Sequence, residues 1–85
     1  MGEPLRFFSK SDCPLCDKGL AVVRRLAERH GLEVETVDIA SDPALVRRHG
    51  ERIPVLEIAG RELGWGLLSE RALERELARW RSGSD

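Results

Sequence analysis

The chain has no tyrosine, a single methionine, and only two each of cysteine, histidine, phenylalanine and tryptophan. Two cysteines cannot build a disulfide framework. A four-ligand zinc site would need both cysteines and two further ligands, and His30 and His49 stand at spacings unlike any usual finger. The longest apolar run is a few residues, which excludes a membrane-spanning helix. An excess of either charge is also lacking: 14 basic against 15 acidic residues leave a net charge of −1, which argues against a general binder of nucleic acid or other polyanions. Arginine outnumbers lysine twelve to two, a compositional habit without a functional signature. Met1-Gly2-Glu3-Pro4 runs almost directly into the first apolar segment, leaving no room for a leader, and Arg6 stands where a myristoylation signal would want Ser or Thr. The expectation is a cytoplasmic protein without membrane or nucleic-acid partners. Its 85 residues suffice for one domain, spanning 1–85, with a modest core.

What the chain does have is both of its cysteines in one place. Phe7-Phe8-Ser9-Lys10-Ser11-Asp12-Cys13-Pro14-Leu15-Cys16 is a short apolar run that gives way, at Cys-Pro-Leu-Cys, to a long helical pattern. Two thiols two residues apart can close into a small disulfide and reopen with little backbone movement. At a helix start, unpaired N–H groups and the positive end of the dipole favour a thiolate, the species that attacks disulfides. In a reducing cytosol such a pair is catalytic or metal-binding rather than a structural bridge. Cys13 is therefore read as nucleophile and Cys16 as its resolving partner. Asp12 opposes the thiolate by like charge, and Lys10 either supports it or is simply a solvated lysine.

The remaining pattern is compact. Leu5–Phe8 suits a buried strand, and Pro14 fits the first turn of a helix on which Cys16, Leu20, Val23, Leu26 and Ala27 share a face, with Gly31 as its stop. Residues 32–39 alternate as a half-buried strand, and Asp42-Pro43 caps a short helix, 44–49, closed by Gly50. Ile53–Ile58 is a strand opened by proline, and Ala59-Gly60 turns it into a second strand, Arg61–Gly64, which Gly64-Trp65-Gly66 ends. Ser69 caps a last helix with Ala72, Leu73, Leu77 and Trp80 on one face, and Ser82 onward is expected to fray. His30, near a helix end, is expected at the surface, and Arg24, Arg25, Arg47 and Arg48 belong to solvated faces. The order β-α-β-α-β-β-α predicts a four-stranded mixed sheet, its first two strands parallel and its last two a hairpin, flanked by three helices on both faces.

This order, with Cys-Pro-Leu-Cys at the first strand-to-helix junction and Ile53-Pro54 heading the third strand, resembles the thioredoxin fold in its minimal glutaredoxin form over nearly the whole chain. Cys-Pro-Leu-Cys, Val-Asp-Ile-Ala-Ser-Asp-Pro, Arg-Ile-Pro-Val-Leu and Arg-Glu-Leu-Gly-Trp-Gly together look like a family of small bacterial glutaredoxin-like proteins. The resemblance implies a monomeric thiol–disulfide oxidoreductase with no bound cofactor. Its partner would be a disulfide-containing protein or glutathione, and glutathione or a thioredoxin-type reductase would reset it. It implies Lys10 as a cation near the thiolate, Pro54 as a cis-proline, and Ile53 as the residue whose backbone pairs with the substrate; Leu15, Trp65 and Gly66 complete the expected substrate contacts. The sequence departs from the family in two places. Leu15 replaces a common tyrosine, and Gly64-Trp65-Gly66-Leu67-Leu68 replaces a Gly-Gly, small residue, aspartate grip on the glutamyl end of glutathione. Trp65 either lines a substrate groove beside Cys13 or covers a sheet edge. The alternative is a non-catalytic module that binds a metal or iron–sulfur cluster or acts as a redox-switched adaptor.

Overall fold

A computed structural model describes residues 2–83. The elements are β1 (Leu5–Ser9), α1 (Pro14–His30), β2 (Val34–Asp38), α2 (Pro43–His49), β3 (Val55–Ile58), β4 (Arg61–Trp65) and α3 (Glu70–Arg81), with a 3-10 turn over Ile39–Ser41. The sheet order is β2-β1-β3-β4. β1 is parallel to β2 and antiparallel to β3, and β3 is antiparallel to β4. This is the mixed four-stranded α/β architecture that the element order predicts.

Adjacent residues of a strand face opposite sides of a sheet, so Phe7 and Phe8 seed two cores. Phe7 joins Leu5, Val23, Leu26, Leu56, Ile58, Leu73 and Leu77 beneath α1 and α3. Phe8 joins Ile39 and Val55, with Val37, Leu45 and Ile53 packed against them, on the α2 side. Every residue of the central strand β3 is buried. The β3–β4 connection has both central residues at positive φ, Ala59 at 49° and Gly60 at 82°, as a type I′ hairpin turn requires.

The ends of the elements differ from expectation for local reasons. β3 begins at Val55 rather than Ile53, because Pro54 has no N–H to give a ladder. The 3-10 turn, unforeseen, is capped by Asp38, whose carboxylate accepts from the Ala40 amide at 2.9 Å. Ser82, expected to fray, donates from its hydroxyl to the Arg79 carbonyl at 3.0 Å, while Ser84 and Asp85 lie outside the described residues. His30 is half-buried, not at the surface. Its Nε2 lies 2.7 Å from Glu74, and Arg81, which can only donate, lies 3.1 Å from Nδ1, so the ring proton points at Glu74. Arg29 bridges Glu70 and Glu74, and Arg25, expected on a solvated face, reaches Glu70 at 3.3 Å, so two arginines of α1 are ion-paired to α3. His30 and then Arg29 hold the Glu74 carboxyl below the usual carboxylate range, and Arg29 does the same for Glu70.

On the α2 side, His49 is 3% exposed and its ring lies 4.5 Å from that of Phe8. Neither of its nitrogens has a hydrogen-bond partner among the described residues, and the nearest carboxylate oxygen, of Glu57 on β3, is 4.0 Å from Nε2. Burial pushes the His49 pKa down, Arg48 and Arg52 add to this, and Glu57 and Glu62 oppose it. The unfolded chain therefore takes up a proton near pH 6.5 before the native ring does. Stability is full above that pH, falls as pH drops from about 6.5 toward the lower native value, and levels off below it. The measurement is a series of thermal melts from pH 7.5 to 5. His49→Phe, which keeps the ring stack without the titration, is expected to lose less Tm over that interval than the wild type, and equal losses would show that His49 does not carry the slope.

Candidate functional site

Cys13 is the N-cap of α1, with extended backbone (φ −126°, ψ 95°), and Pro14 occupies the first helical position, where a missing N–H costs nothing. The two cysteines form a disulfide across a Cα–Cα distance of 5.1 Å. Cys13 Sγ accepts from the Cys16 amide at 3.1 Å, and the Cys13 carbonyl accepts from the Asp17 amide at 3.1 Å. The sulfur thus occupies the place a capping oxygen normally takes, where an otherwise unpaired helix N–H points at it. The pair is asymmetric: Cys13 is half-buried, whereas Cys16 is only 3% exposed and faces the sheet.

Asp12, immediately before the cap, has φ 56°, a left-handed conformation that aspartate tolerates better than most residues. It reverses the chain between β1 and α1. Lys10 is exposed in the same loop, and Leu15, between the cysteines, is half-buried.

The Ile53–Pro54 bond is cis. Ile53 lies outside the β1–β3 ladder, whose last pair is Phe8 with Val55. Its side chain is partly buried and packs into the α2-side core. Pro54 is buried and seated on α1. A Cβ placed on Gly19 would come within 3.1 Å of Pro54 Cγ and 3.2 Å of Leu68 Cδ1. Gly19 lies three residues after Cys16, on the same buried face of the helix. The approach of α1 to Pro54 therefore sets the cis-proline loop against the helix one turn beyond Cys16.

Gly66 makes the second tie. Its amide donates to the Pro54 carbonyl at 2.8 Å and to the Arg52 carbonyl at 3.1 Å, with φ 71°. Gly66, expected among the substrate contacts, has its N–H engaged inside the protein, and these bonds tie the 65–67 loop to Pro54. Trp65, on the edge strand β4, is 52% exposed, and the Arg52 guanidinium lies 4.9 Å from its ring centroid. Arg52 is in turn paired with Glu62. Gly19 and Arg52 carry no role in the sequence reading beyond Arg52 opening Arg-Ile-Pro-Val-Leu. An isolated glycine inside a helical pattern signals a close approach, but nothing in the sequence foretells the Arg52–Trp65 stack. Among the described residues no group of three or more His, Cys, Asp or Glu side chains gathers where it could hold a metal ion. No described helix is long and apolar enough to cross a membrane.

The family model described as Glutaredoxin-like domain (DUF836) matches residues 4–80. The chain belongs to this glutaredoxin-like family. An uncharacterized protein of Mycobacterium tuberculosis is 26% identical over 90 residues, covering 99% of this chain and 93% of its own. The solution structure of a protein from Nitrosomonas europaea is 25% identical at a TM-score of 0.75, with 88% of this chain and 91% of that one covered. A glutaredoxin from Brucella melitensis, 23% identical over 95% of this chain and 87% of its own, superposes at a TM-score of 0.55, a likeness of fold. The Cys13–Cys16 pair of this glutaredoxin-like domain is a CXXC dithiol at a helix N-terminus, the setting of thiol redox chemistry in general.

Proposed function

We propose that the protein is a thiol–disulfide oxidoreductase that acts as a monomer in the reducing cytoplasm. The reading is carried by one observation: the disulfide closes at the N-cap of α1 with Cys13 accessible and Cys16 buried behind it. In the reduced protein the Cys13 thiolate, favoured by the helix amide at its sulfur and by the dipole, attacks one sulfur of a substrate disulfide and expels the other as a thiolate, which takes a proton. The Cys16 thiolate then attacks Cys13 Sγ and releases the second substrate thiol. Two electrons pass to the substrate, and the protein is left as the disulfide. Two glutathione molecules, becoming glutathione disulfide, or a thioredoxin-type reductase return it to the dithiol. Ile53 offers main-chain groups to the substrate, and Lys10 and Leu15 lie on the approach.

The test is a redox titration of the metal-free protein in glutathione buffers, with free thiols scored by alkylation and intact mass. The expected result is one reversible two-electron transition within roughly −120 to −270 mV, the span of known exchange proteins. Failure to form the intramolecular disulfide, or to reduce it in that span, would defeat the exchange reading and turn attention to metal or cluster binding by Cys13.

A further inference from the structure

The described residues include three large apolar side chains that are strongly exposed, Val46, Trp65 and Leu67, and two of them flank Gly66. Leu67 is 78% exposed, whereas the next residue, Leu68, is buried against the α1 side of the core. The loop is not loose, because the Gly66 amide is fixed to the carbonyls of Pro54 and Arg52. Trp65 and Leu67 are thus held in solvent beside the residue that rests on Gly19 of α1, within a turn of the dithiol. Trp65 is also braced: Arg52 sits against its ring and is itself held by Glu62.

The surroundings select among disulfides. From Trp65 and Leu67 a groove of about 360 Å³ runs between β4 and α3 over Leu63, Leu68 and Leu73, and its charged lining residues are Glu62 and Glu76. No lysine or arginine is among the described residues that line it, and the cations beside it are engaged, Arg52 with Glu62 and Arg61 and Arg79 with Glu76. Glutathione carries two carboxylates and no bulky apolar side chain, so it meets only cations that are already paired and gains nothing from Trp65 and Leu67. An extended protein segment with an apolar side chain next to its cysteine would bury that side chain on Trp65 and Leu67 while its disulfide reaches Cys13.

We infer that the site takes disulfides of protein segments that carry an aromatic or large aliphatic residue beside the cysteine, in preference to glutathione disulfide, with Trp65 as the recognition platform and Leu67 as its second wall. The inference rests on the exchange reading above.

The experiment uses the reduced full chain and three probes: two eight-residue peptides, each with its one cysteine as a mixed disulfide with cysteamine, flanked by Phe in one and by Ser in the other, and glutathione disulfide. Reduction is followed by acid quench and alkylation. The Phe peptide is expected to react about tenfold faster than the Ser peptide, the worth of one aromatic contact, and faster than glutathione disulfide. Trp65→Ala is expected to bring the Phe/Ser ratio close to one, and Leu67→Ser to lower it. Melting curves show whether each variant is folded, and because the two side chains are exposed at least one serves as a folded reporter. Equal rates for the two peptides, glutathione disulfide as the fastest probe, or a ratio that survives in both variants would overturn the substrate assignment and leave exchange standing. Inertness toward all three probes would overturn both.

Discussion

Cys13→Ser is expected to reduce exchange below detection, and Cys16→Ser to leave substrate covalently attached to Cys13. The difference follows from the position of each sulfur. Cys13 is half-exposed at the helix cap with the Cys16 amide pointing at its sulfur, whereas Cys16 is buried against the sheet face of α1. A serine at position 13 keeps the cap, since its oxygen is a good N-cap acceptor, and removes only the nucleophile. A serine at position 16 leaves the first attack intact and removes the group that displaces the product. Intact-mass spectrometry of each variant after exposure to a disulfide peptide reads this directly: no adduct for Cys13→Ser, one for Cys16→Ser, resolved by added dithiothreitol. Stability must be compared with the reduced wild type, because a bridge closing so short a loop contributes about 2 kcal/mol that neither variant retains. An adduct on Cys16 in the Cys13→Ser protein would reverse the assignment of nucleophile.

The main lines of this site are legible in the sequence because each rests on a strong local signal. The Cys-Pro-Leu-Cys stretch marks a helix start by chemistry and by proline together, Asp42-Pro43 and Ser69 do the same for the shorter helices, and Gly31 stops α1 with a left-handed cap. The alternation in Leu5-Arg6-Phe7-Phe8 is poor, yet the two phenylalanines divide correctly between two faces once a helix lies on each side. What is not legible depends on contacts between segments far apart in sequence. Nothing local marks His49, which follows two arginines, as buried, but the packing of α2 over β1 sets its ring on Phe8. Trp65 allows two readings in the sequence. The cation that braces it comes from the loop before β3, thirteen residues earlier, and leaves the indole half-open on the edge strand. Gly66 follows the same logic: the bonds of its amide to the Pro54 and Arg52 carbonyls join segments that the sequence does not show to be neighbours.

Gly19→Val is expected to damage stability and exchange together, for a reason unrelated to thiol chemistry. In the middle of a helix glycine is unfavourable by about 1 kcal/mol relative to alanine, so its presence in α1 calls for a compensating gain. That gain is the close approach of Pro54, Leu68 and Phe7, whose carbons would lie 3.1, 3.2 and 3.5 Å from a Cβ at position 19. Alanine there sets improved helix propensity against contacts only slightly too tight, since the end of Leu68 can move, and Gly19→Ala is expected to melt close to the wild type. Valine adds two further methyl groups against a proline ring that cannot rotate away. Overpacking of this kind costs about 2 kcal/mol, or roughly 10 °C in Tm for a domain of this length. The displaced element is the Pro54 loop, and with it the Gly66 tie that holds Trp65 and Leu67, so the exchange rate measured well below Tm should also fall and the preference for an apolar neighbour should narrow. Wild-type melting and wild-type kinetics in Gly19→Val would show that Pro54 is not positioned by its seat on α1. A fall in Tm with unaltered kinetics would show instead that the substrate loop keeps its geometry when the helix beneath it is pushed away.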